Sequence, residues 1–122
     1  MFGKTPALIQ SGKSRTAGKI AVPAMGKTLE SFISSNFGRS PFIIIYDDEI
    51  KNYSFFENIG YSIRDGSGLK AAEIIIQNKV DILLTMEIGQ KAYSILMKEH
   101  IDIHLLSSGG TVKSAINKYL KK

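Results

Sequence analysis

Leu69-Lys70-Ala71-Ala72-Glu73-Ile74-Ile75-Ile76-Gln77 runs into Asn78-Lys79-Val80-Asp81-Ile82-Leu83-Leu84, and the change of period inside this stretch decides the fold. Leu69, Ala72, Ile75 and Ile76 recur at helical spacing, with Lys70, Glu73 and Gln77 turned outward. Residues 80–84 then form an apolar run of the buried-strand kind. The alternation repeats downstream. Ile88, Ala92, Ile95 and Leu96 mark a second helix and residues 101–106 a strand, while Val112, Ala115, Ile116, Tyr119 and Leu120 mark a third helix. Strands alternating with helices predict a parallel arrangement with right-handed crossovers.

Upstream of that stretch, Ile20-Ala21-Val22 reads as a short strand. Pro23 and Gly26 end it in a loop that reaches Gly38 and holds one helical turn over residues 29–34. Residues 41–46 are β-branched and aromatic and predict a second strand. Asp47-Asp48-Glu49 is a turn, and residues 50–57 return as the other half of a hairpin. The order β-β-β-α-β-α-β-α gives a mixed five-stranded sheet in which the hairpin contributes an antiparallel strand. No internal repeat is present.

Strand directions then place four connections at one edge of the sheet: residues 23–40, 58–67, 85–89 and 107–111. The starts of all three helices lie at that edge, each expected to carry unpaired N–H groups and the positive end of its dipole. Gly66-Ser67-Gly68, Gly89 and Gly109-Gly110 fall there too, where missing side chains let a ligand approach the backbone.

One hundred and twenty-two residues fit one domain, expected over residues 19–122 and preceded by a flexible basic tail, residues 1–18. A composition of 43% hydrophobic and 22% charged residues excludes collagen-like and disordered classes. The longest strongly apolar run, residues 41–46, is far short of a membrane span. The first nineteen residues lack the apolar core of a secretory signal, so a cytoplasmic location is expected. With no cysteine, thiolate nucleophiles and thiolate-held metals are excluded. The net charge is +5, but Lys4, Lys13 and Arg15 lie in the tail and the remainder carries only +2. Nucleic acid is therefore a poor fit as partner.

Several side chains at the predicted edge have two readings. Ser67 in Gly66-Ser67-Gly68 either helps to cradle an anion or caps the first helix. Thr111 is the natural cap of the third helix, which puts Lys113 in its first turn, where a nearby negative group would relieve it. Glu87 reads as a cap of the second helix, and its charge opposes anion binding. Arg39 either clamps an oxyanion or pairs with Asp47, Asp48 or Glu57. Met25 and Met86 are soft donors in principle, with packing the favoured reading. His100 and His104 lie about 13 Å apart in an extended chain and do not share an ion unaided; His104 reads as a structural residue of the last strand. No Gly-x-Ser-x-Gly elbow, Walker loop or carboxylate pair supports catalysis, and no catalytic residue is expected.

Taken in order, Lys19-Ile20-Ala21-Val22-Pro23, Asn36-Phe37-Gly38-Arg39-Ser40-Pro41-Phe42, Glu57-Asn58, Gly66-Ser67-Gly68-Leu69-Lys70-Ala71-Ala72-Glu73, Ile88-Gly89-Gln90-Lys91-Ala92 and Gly109-Gly110-Thr111-Val112 resemble the dinitrogenase iron-molybdenum cofactor biosynthesis family, the nitrogenase accessory factors. The resemblance implies a ribonuclease-H-like α/β fold without nuclease activity, its sheet ordered 3-2-1-4-5 with strand 2 antiparallel and three flanking helices. It implies a non-catalytic carrier of an anionic metal-sulfur cluster, such as the iron-molybdenum cofactor or another molybdenum-containing cluster. On this chain the cofactor-binding positions would be Asn36, Phe37, Gly38, Arg39, Asp65, Gly66, Ser67, Gly68, Glu87, Gly89, Gly109, Gly110 and Thr111. Asn36 and Asp65 stand where the family commonly has histidine. Asn36 is a poor soft-metal ligand and Asp65 prefers hard cations, so no direct metal ligand is assigned. The alternative is a metal-free module that binds a protein partner or regulates one.

Overall fold

The computed structural model describes residues 17–62 and 66–121. Its strands are β1 (Lys19–Ala24), β2 (Phe42–Asp47), β3 (Asn52–Glu57), β4 (Ile82–Thr85) and β5 (Asp102–Leu105). Its helices are α1 (Ser67–Gln77), α2 (Gln90–Lys98) and α3 (Val112–Leu120), with a 3-10 turn at Ile59–Ser62. The sheet order is β3-β2-β1-β4-β5, as expected. β2 runs antiparallel to both neighbours, whereas β1–β4 and β4–β5 are parallel.

Burial explains why the central strands read as continuous apolar runs. In β1, Ile20 and Val22 face one core cluster and Ala21 the other; Ile82 and Leu84 divide from Leu83 in the same way in β4. One cluster joins the sheet to Ala71, Ala72 and Ile75 of α1 and Ala92 and Leu96 of α2. The second joins the opposite face to Val112, Ala115 and Ile116 of α3. All but Ala71 are residues whose helical spacing marked the three helices, whereas Leu69, which also marked α1, is exposed.

Two local expectations are corrected. β1 does not stop at Val22: it continues through Pro23, which pairs with Ile43 of β2 and lies beyond the two residues, Ile20 and Ala21, that pair with β4. The missing N–H of Pro23 therefore interrupts no bond to β4. Residues 29–34 form no helical turn. The chain reverses where Ser31 N–H donates to the Thr28 carbonyl at 3.0 Å. Phe32 and Ile33 then form antiparallel bridges to Thr111 and Ala24. Burial of Ile33 in the α3 cluster outweighs the local helical pattern.

The ends of α1 and α2 are built alike. Lys79 and His100 take left-handed conformations, with φ of 54° and 63°. Val80 and Ile101 donate back to the carbonyls of Ile75 and Leu96, at 3.2 and 3.1 Å, which closes a Schellman motif at each end. At the opposite edge from the site, Ala17 N–H donates to Asp48 Oδ2 and Asp48 N–H to the Gly18 carbonyl, fixing the chain's entry beside the β2–β3 turn.

Candidate functional site

The four connections expected at one edge do meet there, and the loop after β1 is their hub. Phe37 N–H donates to the Glu87 carbonyl at 3.0 Å, joining the hub to the β4–α2 turn. Ile33 N–H donates to the Gly110 carbonyl at 2.9 Å, joining it to the β5–α3 turn. Asn58 Nδ2 donates to the carbonyls of Gly38 and Ser40 at 3.1 and 2.8 Å, and its Oδ1 accepts from Gly60 N–H. A Cβ built on Gly38 would stand 2.9 Å from the backbone nitrogen of Gly68, so the hub also lies directly against the start of α1.

The three helix starts are not equivalent, which corrects the expectation that each leaves its first N–H groups open. In α3, Val112 N–H donates to the Ser31 carbonyl, Lys113 N–H to the Leu29 carbonyl and Ser114 N–H to Thr111 Oγ1. Thr111 is the cap that the sequence predicted, and the hub loop takes the other donors. Lys113 finds its negative neighbour in Glu30, at 3.9 Å.

α1 and α2 are different. Neither has a side-chain cap. Ser67 is the first residue of α1, behind a left-handed Gly66, and does not cap it. Glu87 lies two residues before Gly89, the N-cap of α2, and supplies its carbonyl rather than its carboxylate. The N–H groups of Ser67, Gly68, Gln90 and Lys91 have no acceptor among the described residues. These two first turns adjoin, since a Cβ on Gly68 would lie 3.4 Å from that of Ala92.

Space is available beside them. Among the described residues, nothing lies within 4 Å of where a Cβ on Gly66 or Gly89 would stand. Gly89 has φ −71°, a conformation open to any residue, so neither backbone nor packing explains its missing side chain. A hollow of about 380 Å³ lies alongside, lined by Leu69, Gln90, Lys91, Ser94 and Ile95. Lys91 is exposed and has no acidic partner among the described residues.

The remaining candidates fall as follows. Phe37 is fully buried between the sheet and the α1–α2 layer, so it anchors the hub and offers no side-chain surface to a ligand. Asn36 Oδ1 accepts from Arg39 N–H at 2.9 Å, which shapes the turn between them. Arg39 is exposed. Gly109 has open space where a Cβ would stand, and Gly110 is left-handed with φ of 119°. Asp65 lies outside the described residues. Met25 is exposed, whereas Met86 packs in the α3 cluster. His104 sits on β5, with Nε2 2.9 Å from Asp102 Oδ2 and its ring edge-on to Tyr119. His100 serves the left-handed end of α2.

No group of three His, Asp or Glu side chains suited to a metal ion is found among the described residues. What the edge supplies is backbone N–H groups, the Ser67 hydroxyl and the Lys91 ammonium. This donor set fits the outer atoms of an anion rather than direct ligation of a metal.

Fold and edge together define a small α/β domain with two adjoining helix starts that lack side-chain caps. The chain belongs to the dinitrogenase iron-molybdenum cofactor family, whose model matches residues 18–122. It is 35% identical over 89 residues to an uncharacterized protein of Methanocaldococcus jannaschii, covering 70% of this chain and 72% of that one. Two solved structures share the fold. The apo form of the orange protein from Desulfovibrio gigas superposes with a TM-score of 0.79 at 27% identity, over 84% of this chain and 87% of that one. A provisionally named NifB protein from Thermotoga, of the DUF35 family, gives 0.76 at 30% identity, over 85% and 88%. Among the described residues, no helix is long and apolar enough to cross a membrane.

Proposed function

We propose that this protein is a non-catalytic carrier that holds an anionic metal-sulfur cluster, of the iron-molybdenum cofactor type, at the adjoining starts of α1 and α2. One observation carries the reading: among the described residues, four N–H groups, of Ser67, Gly68, Gln90 and Lys91, are without acceptors beside two glycines whose missing side chains would meet no described atom within 4 Å. Such groups bind the outer, negatively charged atoms of a cluster, and the two helix dipoles add to the attraction. The cluster is cargo. It would be held by hydrogen bonds and by Lys91, with Arg39 in the neighbouring loop as a second cation. Membership of the family supports the class of cargo, and the orange protein's having an apo form supports a ligand on this fold. The family's ribonuclease-H-like architecture is part of the same proposal.

Gly109, Gly110 and Thr111 have a different part in this account. Gly110 and Thr111 hold the hub loop in place, and Gly109 borders a separate hollow on the α3 side. Equilibrium dialysis of the purified protein against molybdate, tetrathiomolybdate, iron-molybdenum cofactor and phosphate tests the proposal. Saturable binding of a metal-sulfur species that Lys91→Gln weakens supports it; binding of none of the four overturns it.

A further inference from the structure

Two adjoining hollows flank α3 on the face of the sheet away from α1 and α2. One, of about 260 Å³, is lined at its polar end by Ser107, Ser108, Gly109 and Ser114. The other, of about 270 Å³, ends at His104 and Tyr119. Leu105, Leu106, Ala115 and Lys118 line both, so the two form one groove. Its size reaches the range of about 300–1,000 Å³ usual for small-molecule sites.

The groove is chemically polarised. Its floor and wall are apolar, built from Leu84, Leu106, Ala115 and the Tyr119 ring. Lys118 sits at the junction with neither an ion pair nor a hydrogen bond among the described residues. None of the side chains lining the groove is acidic, and Asp102 lies beside His104 at its far end. A negative group is therefore favoured at the serine end, beside Lys118, and an apolar body along Leu84, Leu106 and the Tyr119 ring. Inorganic anions would leave that apolar wall uncovered.

We infer that the β5–α3 groove binds a small organic anion, with one carboxylate or similar head at Lys118 and the serines and an apolar or aromatic body against Leu106 and Tyr119. This goes beyond the cluster-carrier reading and stands on different residues.

Calorimetry with 4-phenylbutyrate, 4-phenylbutan-1-ol and inorganic phosphate separates head from body, and ¹⁵N amide shifts locate the site. The acid should bind saturably and move the signals of residues 105–109 and 114–119. The alcohol and phosphate should each bind at least about tenfold more weakly. Lys118→Gln, at an exposed position, should reduce the acid to the alcohol's affinity, and Lys118→Arg should largely restore it. Equal affinity for acid and alcohol, or no effect of Lys118→Gln, overturns the inference. So do shifts confined to residues 66–69 and 89–95, an outcome that leaves the carrier reading standing.

Discussion

A methyl group on Gly38 would lie 2.9 Å from the backbone nitrogen and 3.0 Å from the Cα of Gly68, closer than real side chains approach. The obstacle is backbone, so it cannot swing aside. Gly38→Ala should therefore push the hub loop away from α1 and destabilise the fold by about 1–3 kcal/mol. Urea unfolding checks this. The comparison is Gly109→Ala, which meets nothing within 4 Å and should change stability little.

Asn58 is buried and its side chain makes three hydrogen bonds, two to the hub carbonyls of Gly38 and Ser40 and one from Gly60. Asn58→Ala should cost about 2–3 kcal/mol, at roughly 1 kcal/mol per bond lost, and raise amide exchange in residues 36–40. Asn58→Asp should be worse at neutral pH, because a carboxylate would face two carbonyl oxygens. Its deficit should shrink on acidification, since the protonated acid can donate one bond.

Lys79 and His100 are exposed side chains in left-handed backbone, where residues other than glycine are strained. Lys79→Gly and His100→Gly should each raise stability by up to about 1 kcal/mol, read as higher unfolding midpoints.

The Lys51 ammonium, hydrogen-bonded to Asp48 at 2.7 Å, holds that carboxylate below its ordinary pKa of 3.8, with the Ala17 N–H adding to the effect. A lowered folded pKa means that the ionised form stabilises the fold. The contribution is complete above the unfolded value and is lost as pH falls through the folded one. Asp48→Asn should therefore be less stable than the natural chain near neutral pH. The gap should close as pH is taken down to about 2, followed by urea unfolding across that range.

Much of the architecture was legible because burial leaves a period. The two-faced burial of β1 and β4 shows as unbroken apolar runs, and the helices' core faces show as Ala72 and Ile75, Ala92 and Leu96, and Val112, Ala115 and Ile116. Thr111 as a cap was legible for a local reason, since its partner Ser114 is three residues on. What could not be read depends on distant partners. Phe32 and Ile33 become bridge residues because Thr111 and Ala24 lie beside them. The start of α3 is closed by Leu29 and Ser31, from more than eighty residues earlier, and no pattern near Val112 announces this. Asn58 belonged to a recognisable motif, yet its role needs the carbonyls of Gly38 and Ser40. Lys91 and Lys118 were missed because lone exposed lysines carry no signal until a hollow is seen around them.

The central claim is that the uncapped starts of α1 and α2 receive an anionic cluster. Its most direct test is an amide-resolved titration with tetrathiomolybdate, run on the natural chain and on Gly89→Ser. Serine at this N-cap offers the first turn of α2 its own acceptor and should leave stability within a few tenths of a kcal/mol. The account predicts saturable shifts at Ser67, Gly68, Gln90 and Lys91 in the natural chain, and clearly weaker binding in the variant. Shifts that bypass those four amides, or an affinity indifferent to the new serine, would contradict it.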